Sequence, residues 1–170
     1  FISEVTMKSL FATAVLLGWL ANIPLTMAQS NEIRIGALLP LTGPAAPIGL
    51  EEQQGVQFAV DQANAAGGID GAKVQIIFDD SQGKPDQAVL AFNRMVDLQN
   101  VPAILSAFSS VSLAVAPLGT RREVLIVNPA AQTDQLENAS PFLINTIPMV
   151  RAEASVLAKY VVANLGKNAA

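Results

Sequence analysis

From residue 32 onward the chain keeps switching between two hydrophobic periods, and that switching restricts its fold more than any other feature. Short, apolar, β-branched runs at 32–39 (EIRIGALL), 73–78 (KVQIIF), 103–106 (AILS), 124–128 (VLIVN) and 142–146 (FLINT) predict buried strands. Residues 50–66, the stretch from Pro85, 110–122 and 151–165 predict helices. Val56, Ala59, Val60 and Ala63 share one face of the first helix; Val89, Phe92, Met95 and Val96 share one face of the second. Val156, Tyr160 and Ala163 are among the apolar positions of the last. Glu51 and Glu52 fall in the expected first turn of the first helix, where the helix dipole favours acids. The run GGIDG at 67–71 stops that helix, and Pro85 opens the next, where its missing N–H costs nothing.

Strands alternating with helices through short loops predict an α/β fold, a parallel sheet flanked by helices on both faces. Such sheets bind ligands beyond the carboxyl ends of their strands. Function is therefore expected in the loops 40–49, 79–84, 107–110 and 129–134.

The 170-residue chain contains neither histidine nor cysteine. That removes histidine acid–base chemistry, the Ser/His/Asp triad, thiol nucleophiles, disulfides and the usual zinc sites. Net charge is −4 with no basic run, which argues against nucleic acid as a partner. No G-x-G-x-x-G follows the first strand and no phosphate-binding lysine loop exists, so a nicotinamide enzyme is not expected. No cofactor is implied.

Residues 7–28 (MKSLFATAVLLGWLANIPLTMA) have the pattern of a secretory signal peptide. Lys8 precedes an apolar stretch over 10–20, shorter than the roughly 20 residues needed to span a bilayer. Thr26-Met27-Ala28 supplies small residues three before and one before a cut, so export with cleavage near Ala28 is expected. Residues 1–6 then read as an upstream, mis-started segment, and both ends look like cuts in a longer reading frame. Taking 28 residues from 170 leaves 142, enough for one domain with a real core. With no cysteine at the cleavage site to carry a lipid, the mature chain is expected to be soluble.

Three loops carry candidate chemistry. Ser109 and Ser110 follow the third strand and open a helix, so hydroxyls and free N–H groups could hold a carboxylate; the same residues also suit an ordinary serine cap. Ala130, Ala131 and Thr133 follow the fourth strand, where small side chains would let a ligand approach the backbone, although a plain loop would look alike. Asp79 and Asp80 are paired acids, but with no third ligand in view a structural or solvated role is the expectation. Arg121-Arg122 would complement the dipole at a helix C-terminus.

Five segments, in order, then carry a resemblance: LTGP at 41–44, NAAGGIDG at 64–71, DDSQGKPDQAV at 79–89, PAILSAFSS at 102–110 and VLIVNPAAQTDQL at 124–136. From residue 32 onward the chain resembles periplasmic branched-chain amino-acid-binding proteins, the leucine/isoleucine/valine-type solute receptors of ABC importers. The resemblance implies a type I periplasmic binding protein fold, with two lobes closing on a ligand. Residues 29–146 would form the first lobe, and 147–170 the crossover and first helix of a truncated second lobe. It implies a soluble, periplasmic, monomeric receptor that is not an enzyme, with a small amino acid as ligand and a membrane permease as partner. By position, Ser109 and Ser110 would hold the ligand carboxylate, while Ala131 and Thr133 would engage its amino and carboxylate groups through carbonyl and hydroxyl; Ala130 would line the same loop. Ile48 stands where the family carries an aromatic wall, and Phe108 replaces a smaller residue, so the solute itself is not implied. A sensing receptor for amides, urea or small carboxylates on the same fold is the alternative, and an exported hydrolase a more distant one.

Overall fold

The computed structural model describes residues 32–165. The expected leader at 7–28 and the segment 1–6 lie outside these residues. Five strands form one parallel sheet in the order β2-β1-β3-β4-β5: β1 (Glu32–Leu39), β2 (Lys73–Asp80), β3 (Ala103–Ser106), β4 (Leu125–Asn128) and β5 (Leu143–Asn145). Four helices accompany them: α1 (Ala46–Ala65), α2 (Pro85–Gln99), α3 (Ser109–Arg122) and α4 (Val150–Leu165). One 3-10 turn spans Asp134–Leu136.

The expected α/β architecture holds, and the helices lie on both faces. On one face, Phe92 and Met95 of α2 and Val111 and Val115 of α3 pack with Leu38, Ile104 and Ile126 of the central strands, all fully buried. Burying a side chain such as Phe92 stabilises the fold by roughly 1.5–3 kcal/mol. The helix comes close because β1 offers a glycine there: a Cβ on Gly36 would sit 2.7 Å from the Met95 sulfur. On the other face, the α1 stripe of Val56, Ala59, Val60 and Ala63 looks onto Ile35 and Ile76 across an apolar hollow of about 400 Å³.

The turn joining α1 to β2 is built by glycine and asparagine. Gly68 adopts φ +83°, and a Cβ there would overlap the Ala72 carbonyl. The Asn64 side chain donates to the Val74 carbonyl and accepts from the Val74 N–H, both at 2.8 Å, tying the helix end to the strand. Pro85 stands in the first turn of α2, as expected.

Several boundaries differ from the sequence expectation. Helix α1 begins at Ala46 rather than residue 50, because Pro47 stands in its first turn, where no N–H is needed. Glu51 and Glu52 consequently lie one turn inside the helix, and its first turn holds no acid. Strand β2 continues through Asp79 and Asp80, which pair with Leu38 and Leu39 of β1. The 3-10 turn was too short to leave a periodic signal. The apolar positions of α4 are not core: none of its residues is buried.

Candidate functional site

The strand order reverses direction between β1 and β3, so a crevice opens at their carboxyl ends, the place where doubly wound sheets receive ligands. Three segments converge there.

The first is the β1–α1 connection, pinned by Asp80 at the end of β2. The Asp80 carboxylate accepts hydrogen bonds from the N–H groups of Leu41 (2.8 Å), Thr42 (3.2 Å) and Gln82 (2.8 Å), and from the Thr42 hydroxyl. Burial pushes its pKa up, but the Thr42 hydroxyl and the Gln82, Leu41 and Thr42 N–H groups outweigh that and hold it below the ordinary aspartate value. Its neighbour Asp79 takes a two-pronged contact from Arg94 of α2, at 2.7 and 3.1 Å. Both acids thus serve the structure, as expected. No group of three or more acids able to hold a metal ion occurs among the described residues. Helix α1 then leaves the sheet at very close range, since a Cβ on Gly49 would lie 2.1 Å from the Pro40 carbonyl oxygen.

The second segment is the start of α3. Its N-cap is Phe108, not a serine, and no side chain caps the helix. The first-turn N–H groups have no partner within the helix, so they remain available to an anion in the crevice. Phe108 pays for this geometry with a positive φ of 71°, a conformation worth about 1–3 kcal/mol of strain in a residue with a side chain. Beneath it the buried hydroxyls of Ser106 and Ser112 bond to each other at 2.7 Å, locking β3 to α3.

The third segment is the loop after β4, shaped by the buried side chain of Asn128. Its amide nitrogen donates to the Ala131 carbonyl (2.7 Å) and to the Asn145 side chain (2.8 Å). Its oxygen accepts from the N–H groups of Ala131 (2.7 Å) and Ala130 (3.3 Å). The Gln132 carbonyl accepts from the Val150 N–H at 2.9 Å, linking this loop to the start of α4.

Between these segments lies a cleft of about 350 Å³. Helix α1 contributes Ile48 and Glu52, the α3 start contributes Phe108 and Ser109, and the β4 loop contributes Ala130, Ala131 and Gln132. Of the residues predicted from sequence, Ser109, Ala130 and Ala131 come together at its wall. Ser110 is exposed and Thr133 is half-buried; neither lines the cleft. Asn128, Gln132 and Glu52 were missed. Glu52 could have been found from its spacing of four residues after Ile48, which puts both on one helix face. Larger hollows run under α1 and along α4, but both are almost wholly apolar and lack the placed polar groups that orient a small solute. No helix among the described residues is long and apolar enough to cross a membrane.

Comparison with known proteins agrees with this geometry. Residues 32–170 match the family described as periplasmic binding protein. The Leu/Ile/Val-binding protein BraC3 of Rhizobium johnstonii is 36% identical over 160 residues, covering 94% of this chain and 42% of the relative. A Leu/Ile/Val-binding protein homologue of Brucella melitensis is 33% identical over 148 residues, 85% of this chain and 40% of that protein. Among solved structures, the branched-chain amino acid transporter substrate-binding protein LivJ of Streptococcus pneumoniae, in complex with isoleucine, superposes with a TM-score of 0.72. It is 29% identical, over 79% of this chain and 39% of that one. The chain therefore spans about two fifths of the length of these relatives. Five parallel strands in this order, a cleft at the point where their order reverses and a sequence match running from residue 32 to 170 agree: the chain belongs to the periplasmic binding protein family.

Proposed function

We propose that the cleft binds a small amino acid, a branched-chain one first among candidates, and that the chain supplies the first lobe of a receptor serving an ABC importer. The observation that carries this reading is the uncapped N-terminus of α3, opening beside Ser109 into a cleft that sits at the sheet's switch point. The names of the relatives, and the isoleucine bound in the solved neighbour, support the choice of solute.

In this reading the ligand carboxylate docks on the first-turn N–H groups of α3 and the Ser109 hydroxyl. Ala130 and Ala131 line the approach, and Ile48 and Phe108 flank the side chain. Residues 29–146 form the first lobe. Residues 147–170 cross to a second lobe that closes by hinge motion and excludes water, which strengthens every polar contact inside. The closed form is what a membrane permease recognises, and the protein carries out no reaction. The leader at 7–28, cleaved near Ala28, delivers the chain to the periplasm.

A thermal-shift titration of the intact protein tests this. Leucine, isoleucine and valine are expected to raise the melting temperature in a concentration-dependent way, because they bind the folded state alone. Ser109→Ala should weaken binding about tenfold without lowering the ligand-free melting temperature, the loss expected for one hydrogen bond to a charged group. Unchanged affinity in that variant would remove the site assignment.

A further inference from the structure

The cleft contains a polar atom that finds no partner among the described residues. One carboxylate oxygen of Glu52, Oε2, is buried and has no hydrogen-bond partner among the described residues. Glu52 lines the cleft from α1, one helical turn after Ile48, and is the one ionisable side chain among the residues lining it. No lysine or arginine lines the cleft to neutralise it. The other walls are an apolar pair, Ile48 and Phe108, and the small residues of the β4 loop. Gly49, against the Pro40 carbonyl, holds this part of α1 close to the sheet, so Glu52 stands on a fixed support.

A buried acceptor without a partner is costly, and native proteins rarely keep one unless something outside the chain completes it. We propose that Glu52 is a specificity-determining residue whose carboxyl accepts a hydrogen bond from an N–H or O–H donor of the bound solute. This rests on the reading of the cleft as a solute site and deepens it. One end of the solute, an acid, meets the start of α3. Another part, bearing a donor, meets α1. A solute with an acid and no donor leaves Oε2 unpaired and binds weakly. Desolvation also raises the Glu52 pKa, as expected for a carboxyl held away from water and away from any cation.

Two sources of donor fit this chemistry: the solute's ammonium group, or a polar tail. Calorimetric titration of the intact protein separates them, using valine against threonine and leucine against asparagine, pairs nearly identical in shape that differ in a tail donor. The wild type is compared with Glu52→Gln and Glu52→Leu; Glu52→Gln preserves size, and the melting temperature of each ligand-free variant reports folding. If Glu52 takes the ammonium, both substitutions weaken all four amino acids tenfold or more and leave the ratios within each pair unchanged. If it takes a tail donor, the wild type favours threonine and asparagine tenfold or more, and Glu52→Leu abolishes or inverts that preference. Affinities and ratios that stay within twofold of wild type in both variants overturn the proposal. Ser109→Ala, run in parallel, separates the two levels of the argument. Binding that depends on Ser109 but not on Glu52 rejects this inference alone. Absence of binding, or binding indifferent to both residues, rejects the solute site and the inference with it.

Discussion

Asn128 shapes the β4 wall of the cleft. It ends β4 fully buried, and its amide makes four hydrogen bonds that set the path of residues 129–131 and tie them to β5. Replacing it with alanine would strand the Ala131 N–H and carbonyl in a dry environment, at about 1–3 kcal/mol for the unsatisfied groups. Asn128→Ala is therefore expected to lower unfolding stability by about 2 kcal/mol in urea denaturation, and to weaken solute binding as well, because the loop wall loses its template. An asparagine at the end of a short apolar strand looks like a turn residue in sequence, and nothing local announces that its partners are three and seventeen positions away.

At the scale of elements, the cleft depends on how tightly the β1–α1 connection is held. Asp80 is its clamp, and the ionisation of Asp80 couples the clamp to pH. A carboxylate whose folded pKa lies below its unfolded value contributes stability that is present above the unfolded pKa, near 4, and is lost as pH falls through the folded pKa. Asp80→Asn is accordingly expected to cost about 1–2 kcal/mol at neutral pH, since several hydrogen bonds to a charged acceptor weaken at once in a partly exposed site. The gap between variant and wild type should shrink as pH drops below about 4. Urea midpoints at pH 7 and pH 3 measure it, and a gap of equal size at both would show that the charge is not involved. The pairing of Asp79 and Asp80 was legible as structural, but the division of labour was not. One acid turns toward α2 and Arg94, the other toward the loop of β1, because successive residues of a strand face opposite sides of the sheet.

Across the whole molecule, the sheet is sealed by α2 and α3 on one face, while its other face is only partly covered by α1 and keeps an apolar hollow. Helix α4 buries none of its residues, and Val156, Leu157 and Tyr160 are each more than 60% exposed. That helix contributes little to the stability of the first lobe. Replacing both Val156 and Leu157 with lysine is expected to shift the stability of the 170-residue chain by no more than about 0.5 kcal/mol, the range of ordinary surface substitutions. In a longer chain carrying a second lobe, the same double substitution is expected to cost several kcal/mol, because there the apolar stripe would be core. Equal, small effects in both would contradict the assignment of 147–170 to a second lobe.

Apolar runs and helical stripes, with the proline and glycine signals between them, located the five strands and four α-helices of the described region but not its 3-10 turn, because burial on two faces of a sheet imposes patterns that survive in one dimension. Their place after the third and fourth strands also brought Ser109, Ala130 and Ala131 forward, although the same residues would equally suit a serine cap and a plain loop. Where sequence reading failed, the deciding contacts join residues distant along the chain. The close seating of α1 was set by the approach of Gly49 to Pro40, and the cap of α3 by the strained backbone of Phe108. The isolation of the Glu52 oxygen exists only once α1, α3 and the β4 loop have met around it. Local pattern records which face of an element is buried; which polar groups are left without partners is decided only when the elements close together, because that depends on distances between segments that no spacing along the chain contains.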